Sequence, residues 1–228
     1  MIGGDLMDIK EAIRERHSVR QYSSDHILGD VRTSLINLIQ ECNKESGLHI
    51  QLVTDDPECF NTLLGHYGKF SGVNNYIAMV GPKTIKNLDE LCGYYGEKIV
   101  LEAQMMGLNT CWVAGTYGKG KCKAAIDAGE KLICVISIGY GLTKGTTHKS
   151  KELSKLCRVS EKEMPDWFRE GLEAALMAPT AMNQQKFLID MDGDDAVIKA
   201  GIGPLTKLDC GIVRYNFEAA SGRELPRA

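Results

Sequence analysis

Hydrophobic positions along this chain of 228 residues recur with two different periods. Ile9, Ala12 and Ile13 fall at helical spacing behind Asp8 and Glu11, a capping-box pattern, and predict a first helix ending near Arg16. Val31, Leu35, Leu38 and Ile39 share one face of a second helix over 30–45, with Gly47 placed to stop it. HIQLVT (49–54) alternates weakly, and NNYIAMVGP (74–82) more strongly before Gly81-Pro82; both read as strands. Leu91, Tyr95, Ile99, Ala103 and Met106 predict a long helix over 88–106 closed by Gly107, with Met105 and Met106 in the core. TCWVAG (110–115) is a short extended piece, and KLICVISIGYG (131–141) a buried strand, nearly all apolar.

The pattern then changes. TKGTTHKSKELSKLCR (143–158) is rich in lysine and poor in bulky apolar residues, so it reads as a linker between two lobes. Beyond it, Ser160 and Glu163 form another capping-box pattern and Pro165 suits a first helical turn. WFREGLEAALMA (167–178) is an amphipathic helix that Pro179 must stop or kink. KFLIDMD (186–192) reads as a strand and 205–220 as a last helix. Helices and strands mix without regular β-α alternation, which favours an α+β fold over a doubly wound one. The implied organisation is an N-terminal lobe over 1–145, a basic linker over 146–160 and a C-terminal lobe over 161–228. Each lobe runs helix, polar turn-rich motif, strand, which admits a divergent duplication.

Composition narrows the classes. Hydrophobic residues at 43% and charged ones at 25% fit a soluble globular chain. A net charge of -3 argues against a general nucleic-acid surface, and no stretch approaches a membrane span. The eight cysteines form no C-x-x-C pair and several lie in apolar runs, so they read as reduced thiols rather than a disulfide or zinc framework. MIGGDLMDIK lacks the apolar core of a signal peptide, and a reducing cytoplasm is the expected location.

Four motifs carry possible chemistry. Arg16, His17, Ser18 and Arg20 gather donors that suit a phosphate, although alone they also read as a basic helix end. APTAMNQQ (178–185) follows a helix with Thr180, Asn183, Gln184 and Gln185, able to bond a polar heteroaromatic edge or simply to cap a turn. HKSK (148–151) sets Lys149 and Lys151 on one side of an extended segment, or in a solvated linker. GTYGKGKC (115–122) imitates a P-loop, but Cys122 stands where the magnesium-binding hydroxyl belongs and no Walker-B strand follows. The five histidines show no metal spacing, and neither G-x-S-x-G nor G-x-G-x-x-G occurs, so no metal site is expected.

In combination and order these motifs resemble the nitroreductase family of FMN-dependent oxidoreductases. ERHSVRQY resembles the family's R-x-S-x-R element, which meets the FMN phosphate and ribityl chain. APTAMNQQKF resembles its A-P-S-x-x-N-x-Q-P-W element, with Lys186 and Phe187 in place of Pro and Trp. GEKIVLEAQMMGLNTCWVAGT (96–116) resembles the long helix and the turn near flavin N5, and KLICVISIGYG with HKSK the last core strand and its basic pair. The A-P-S-like element usually follows R-x-S-x-R within a few tens of residues. Here it lies near 178, as in the fused, two-lobed subgroup in which one chain imitates the family dimer.

The resemblance implies one FMN per chain, held between the lobes. Arg16, Ser18, Lys149 and Lys151 are then phosphate ligands, with His17 against the FMN tail. Arg20 lies nearer the ribityl chain and pyrimidine edge, Gly115 and Thr116 near N5, and Pro179, Thr180, Ala181 and Asn183 beside the ring. It also implies ping-pong transfer of electrons from NAD(P)H to a small acceptor such as a nitroaromatic or quinone. A monomer imitating a dimer, or a weak homo-oligomer, is expected. A flavin-binding protein without turnover, and a flavoenzyme of another reductive chemistry, are the alternatives.

Overall fold

The computed structural model describes residues 7–226. Six α-helices and six strands are present among them: α1 (Ile9–Glu15), α2 (Gly29–Ser46), β1 (Gln51–Val53), α3 (Leu63–Tyr67), β2 (Tyr76–Pro82), α4 (Leu88–Met105), β3 (Asn109–Val113), β4 (Glu130–Gly139), α5 (Asp166–Met177), β5 (Phe187–Asp192), β6 (Asp195–Ala200) and α6 (Thr206–Ser221). Every strand pairing is antiparallel, and the fold is α+β, as the lack of β-α alternation anticipates.

The chain divides into two compact units, each discontinuous in sequence. One unit comprises Arg16–Leu88 and Glu102–Thr147. Its four-stranded sheet has the order β1-β2-β4-β3. Strands β2 and β4 are central and buried along most of their length, which explains their continuous apolar runs. A bulge lies between Met79 and Val80. On one face of the sheet, Val19, Phe60, Phe70, Tyr76, Val113 and Tyr117 belong to one buried cluster. Helix α2 ends where expected, at Gly47, whose φ of 71° is costly for other residues and whose N–H reaches the Asn43 carbonyl.

The other unit comprises the chain through Glu15, Asp89–Leu101 and the chain from His148 onward. It contains α1, α5, α6, most of α4 and the β5–β6 hairpin. Helices α4 and α6 approach closely at two glycines. A Cβ on Gly93 would lie 2.1 Å from the Leu208 carbonyl oxygen, and one on Gly211 2.0 Å from that of Glu90.

Several elements differ from expectation. Asp8 does cap α1, accepting the Glu11 N–H at 2.7 Å. Ser160 and Glu163 do not cap α5: their bond is the Glu163 N–H to the Ser160 carbonyl, and Pro165 is itself the N-cap. Met105 and Met106 are half-buried rather than core. Strand β6 and the five-residue α3 had no periodic signal long enough to show them.

Candidate functional site

The RHSVR segment lies along the edge of the unit that holds the four-stranded sheet. Ser18 forms a parallel bridge to Thr110 at the start of β3, and the Val19 N–H reaches the Thr110 carbonyl at 3.0 Å. Tyr22 secures the segment from below. Its buried hydroxyl donates to the Val19 carbonyl at 2.8 Å and lies 2.9 Å from Ser137 Oγ on β4. Burial pushes the Tyr22 phenol above its ordinary range, so it remains a neutral donor.

Arg16, Ser18 and Arg20 all influence the Cys111 thiol of β3. Burial pushes that thiol up, while the Arg20 charge, a hydrogen bond from Ser18 and the Arg16 charge act in the opposite direction. Arg16 is 4% exposed, whereas Arg20 is exposed, its guanidinium 5.9 Å from the centre of the Phe70 ring. His17 sits a little apart, with Nε2 3.2 Å from Thr147 Oγ1 and Gly145 packed against its Cβ.

Gly115 and Thr116 follow β3. Nothing lies within 4 Å of a Cβ built on Gly115, so this backbone has an open side, and Thr116 packs against Gly68. The GTYGKGKC segment is no P-loop. A single 3₁₀ turn, Lys119–Lys121, gives way to extended backbone at Cys122, with no helix N-terminus to receive a phosphate.

The remaining candidates belong to the other unit, where HKSK and APTAMNQQ meet. Ala178 ends α5 in extended conformation before Pro179. Met182, Asn183 and Gln185 then adopt positive φ values of 52°, 51° and 43°, unusual for side-chain-bearing residues. A dense set of hydrogen bonds holds this conformation. Thr180 Oγ1 accepts the Gln185 N–H at 3.0 Å. Asn183 Nδ2 and Gln185 Nε2 both donate to the Lys149 carbonyl, at 2.9 and 2.7 Å. The Lys151 N–H donates to Gln185 Oε1 at 2.7 Å, and its ammonium to the Gln184 and Gln185 carbonyls at 2.6 and 3.1 Å. Lys151 therefore clamps the loop, whereas Lys149 contributes its carbonyl and leaves an exposed side chain.

Asp209 supports the same loop from α6. Its carboxylate is 2% exposed and accepts from the Ala181 N–H at 2.9 Å and from Gln184 Nε2 at 2.7 Å. Burial raises its pKa, and these two bonds only partly offset the effect. Sequence reasoning missed Asp209 and the anchoring role of Tyr22. The signal for Asp209 was a lone carboxylate amid the apolar positions of LDCGIV.

The eight cysteines are free thiols, seven of them buried, in accord with a reduced set. Among the described residues no helix is long and apolar enough to cross a membrane.

Comparison with known proteins agrees with this architecture. The family model described as "Putative TM nitroreductase" matches residues 8–221. A structure from Thermotoga maritima, titled a "putative nitroreductase", shares 21% identity at a TM-score of 0.69, covering 96% of this chain and 86% of its own. A nitroreductase-like protein from Streptococcus mutans matches at 12% identity and a TM-score of 0.55, covering 66% of this chain and 96% of its own. A "Putative NADH dehydrogenase/NAD(P)H nitroreductase" from Bacteroides thetaiotaomicron matches at 19% identity and a TM-score of 0.51, covering 65% and 95%. No curated protein matches. With the family model spanning all but the ends of the chain, this protein belongs to the nitroreductase family of oxidoreductases.

Proposed function

We propose that this protein is an FMN-dependent NAD(P)H oxidoreductase. The carrying observation is that Arg16, Ser18 and Arg20 lie on one short segment anchored to β3, with Arg16 buried and Arg20 exposed. Two guanidiniums and a hydroxyl suit a phosphate with a polar chain attached, and the open side of Gly115 leaves room for a flat ring to approach the backbone. The residues present therefore fit FMN. The name of the Bacteroides relative, which mentions NADH and NAD(P)H, supports the choice of donor.

When bound, FMN would supply the two-electron chemistry for a ping-pong exchange between NAD(P)H and a nitroaromatic, a quinone or a similar small acceptor. The protein's residues bind and orient. Arg16, Ser18 and His17 hold the phosphate end. Arg20 lends positive charge toward the pyrimidine edge, and Gly115 and Thr116 offer backbone groups near N5. Lys151 holds the loop that carries Pro179, Thr180, Ala181 and Asn183, residues which, like Lys149, the family resemblance assigns to the flavin. We propose one flavin per chain. The Bacteroides and Streptococcus structures match about two-thirds of this chain while nearly complete themselves, which supports a single chain carrying more of the site than they do.

Arg16→Ala is the direct test of the phosphate assignment. Losing a charged, hydrogen-bonding group from a buried site should weaken FMN binding by about 2–3 kcal/mol, roughly 30- to 150-fold. Unchanged FMN affinity in this variant would remove the phosphate assignment.

A further inference from the structure

We propose that His49, Asp127 and Glu130 form a binding site for one divalent transition-metal ion of the zinc class. The proposal is independent of the flavin reading and concerns only the unit containing the four-stranded sheet. The three side chains offer one imidazole nitrogen and two carboxylate oxygens, all within 4.8 Å of one another. Zinc takes such ligands at about 2.0–2.2 Å, so small side-chain rotations bring all three into one coordination shell, with water completing it. An imidazole among the ligands favours zinc, cobalt or nickel over calcium and magnesium, which prefer oxygen alone.

The backbone that carries these ligands is already fixed. The His49 N–H bonds the Val80 carbonyl at 2.9 Å, and Glu130 stands opposite Pro82 on the other side of β2. Gln51 ties the two ligand-bearing segments together. Its Nε2 donates to the His49 carbonyl at 3.2 Å and to the Ala125 carbonyl at 2.7 Å, while its Oε1 accepts the Ala125 N–H at 2.8 Å. Asp127 and Glu130 close a reciprocal turn: the Glu130 N–H reaches the Asp127 carbonyl at 2.8 Å, and the Asp127 N–H reaches Glu130 Oε2 at 3.0 Å. Lys83 braces that turn through the Gly129 and Ala128 carbonyls. Such preorganisation lowers the ordering cost that weakens most surface metal sites.

The side chains are also in a usable state. His49 Nδ1 lies 3.0 and 3.1 Å from the two Glu130 oxygens, a contact that an ion can replace with two bonds to itself. The His49 side chain is 39% exposed and opens a path from solvent. Histidine spacing along the chain could not reveal the site, because its ligands come from two distant segments. Its occupant would pin the 122–130 segment to the β1–β2 edge.

The test is calorimetric titration of zinc chloride into the intact protein, with thermal unfolding measured alongside. The expected result is one saturable zinc per chain and a higher Tm with zinc. Cys122, the one half-exposed thiol, is the rival ligand, so Cys122→Ser is titrated in parallel and should retain the site. Either His49→Ala or the exposed Asp127→Asn should weaken zinc binding at least about tenfold and abolish the Tm increase. Zinc affinity unchanged in His49→Ala or Asp127→Asn overturns the proposal, as does loss of saturable binding in Cys122→Ser.

Discussion

Replacing Asp209 by alanine should loosen the 178–185 loop without substituting any residue assigned to FMN. In the folded protein the carboxylate accepts two hydrogen bonds, from the Ala181 N–H and Gln184 Nε2, and it is nearly inaccessible to water. Alanine would leave both donors without this acceptor, which costs about 1–3 kcal/mol for each buried donor, and relief from burying the charge offsets part of that cost. A net loss of ~1–3 kcal/mol remains, and at this chain length each kcal/mol lowers Tm by about 2–4 °C. Asp209→Asn should lie between wild type and alanine. Its amide oxygen can still accept from Ala181, but its NH₂ faces a second donor. The pH dependence has a definite sign. Burial raises this carboxyl group's pKa in the folded state, so the folded form takes up its proton first as the pH falls. Wild-type stability should therefore gain on that of Asp209→Asn as pH drops from neutral through the raised folded value. Thermal unfolding by circular dichroism across pH measures both effects. A wild-type Tm in Asp209→Ala, or a gap that widens in the opposite direction, would refute the reasoning.

Three further predictions concern other contacts. Tyr76→Phe removes the hydroxyl that donates to the fully buried Asp56 at 2.7 Å and accepts the Lys123 N–H at 2.8 Å, and should cost ~1–3 kcal/mol in a denaturant titration. Gly93→Ala places a Cβ against the Leu208 carbonyl, so α4 and α6 must separate; despite alanine's better helix propensity, Tm should fall, by an amount matching ~1–3 kcal/mol. Gln185→Ala removes the side chain that joins Lys149, Lys151 and Asn183. It should reduce FMN retention on a desalting column more than it reduces Tm.

Long periodic elements were legible in the sequence because burial imposes the period: α2, α4, α5, α6, β2 and β4 fall within a residue or two of their expected places. Helix α3 escaped because Leu63, Leu64 and Tyr67 are exposed, so no buried face patterns it. Strand β6 escaped because its acidic start, DGDD, reads as a loop. Yet Gly193-Asp194 between Asp192 and Asp195 is a two-residue hairpin turn, and that Gly-Asp pair was a signal. The candidate segments were legible as motifs but not as geometry. HKSK and APTAMNQQ each read as ordinary turns alone, and only folding shows Lys151 bonding the Gln184 and Gln185 carbonyls. The supports were hidden for a different reason. Tyr22, Asp209 and Gln185 act through burial and backbone hydrogen bonds, which leave no local spacing to read.

Anaerobic titration of the purified protein with NADH and with NADPH decides whether it works as an FMN-dependent oxidoreductase. The expected result is a yellow protein carrying one FMN per chain, whose colour is bleached by at least one nicotinamide donor and restored by a quinone or nitroaromatic. Two FMN per chain, or a bound flavin that neither donor reduces, would contradict it.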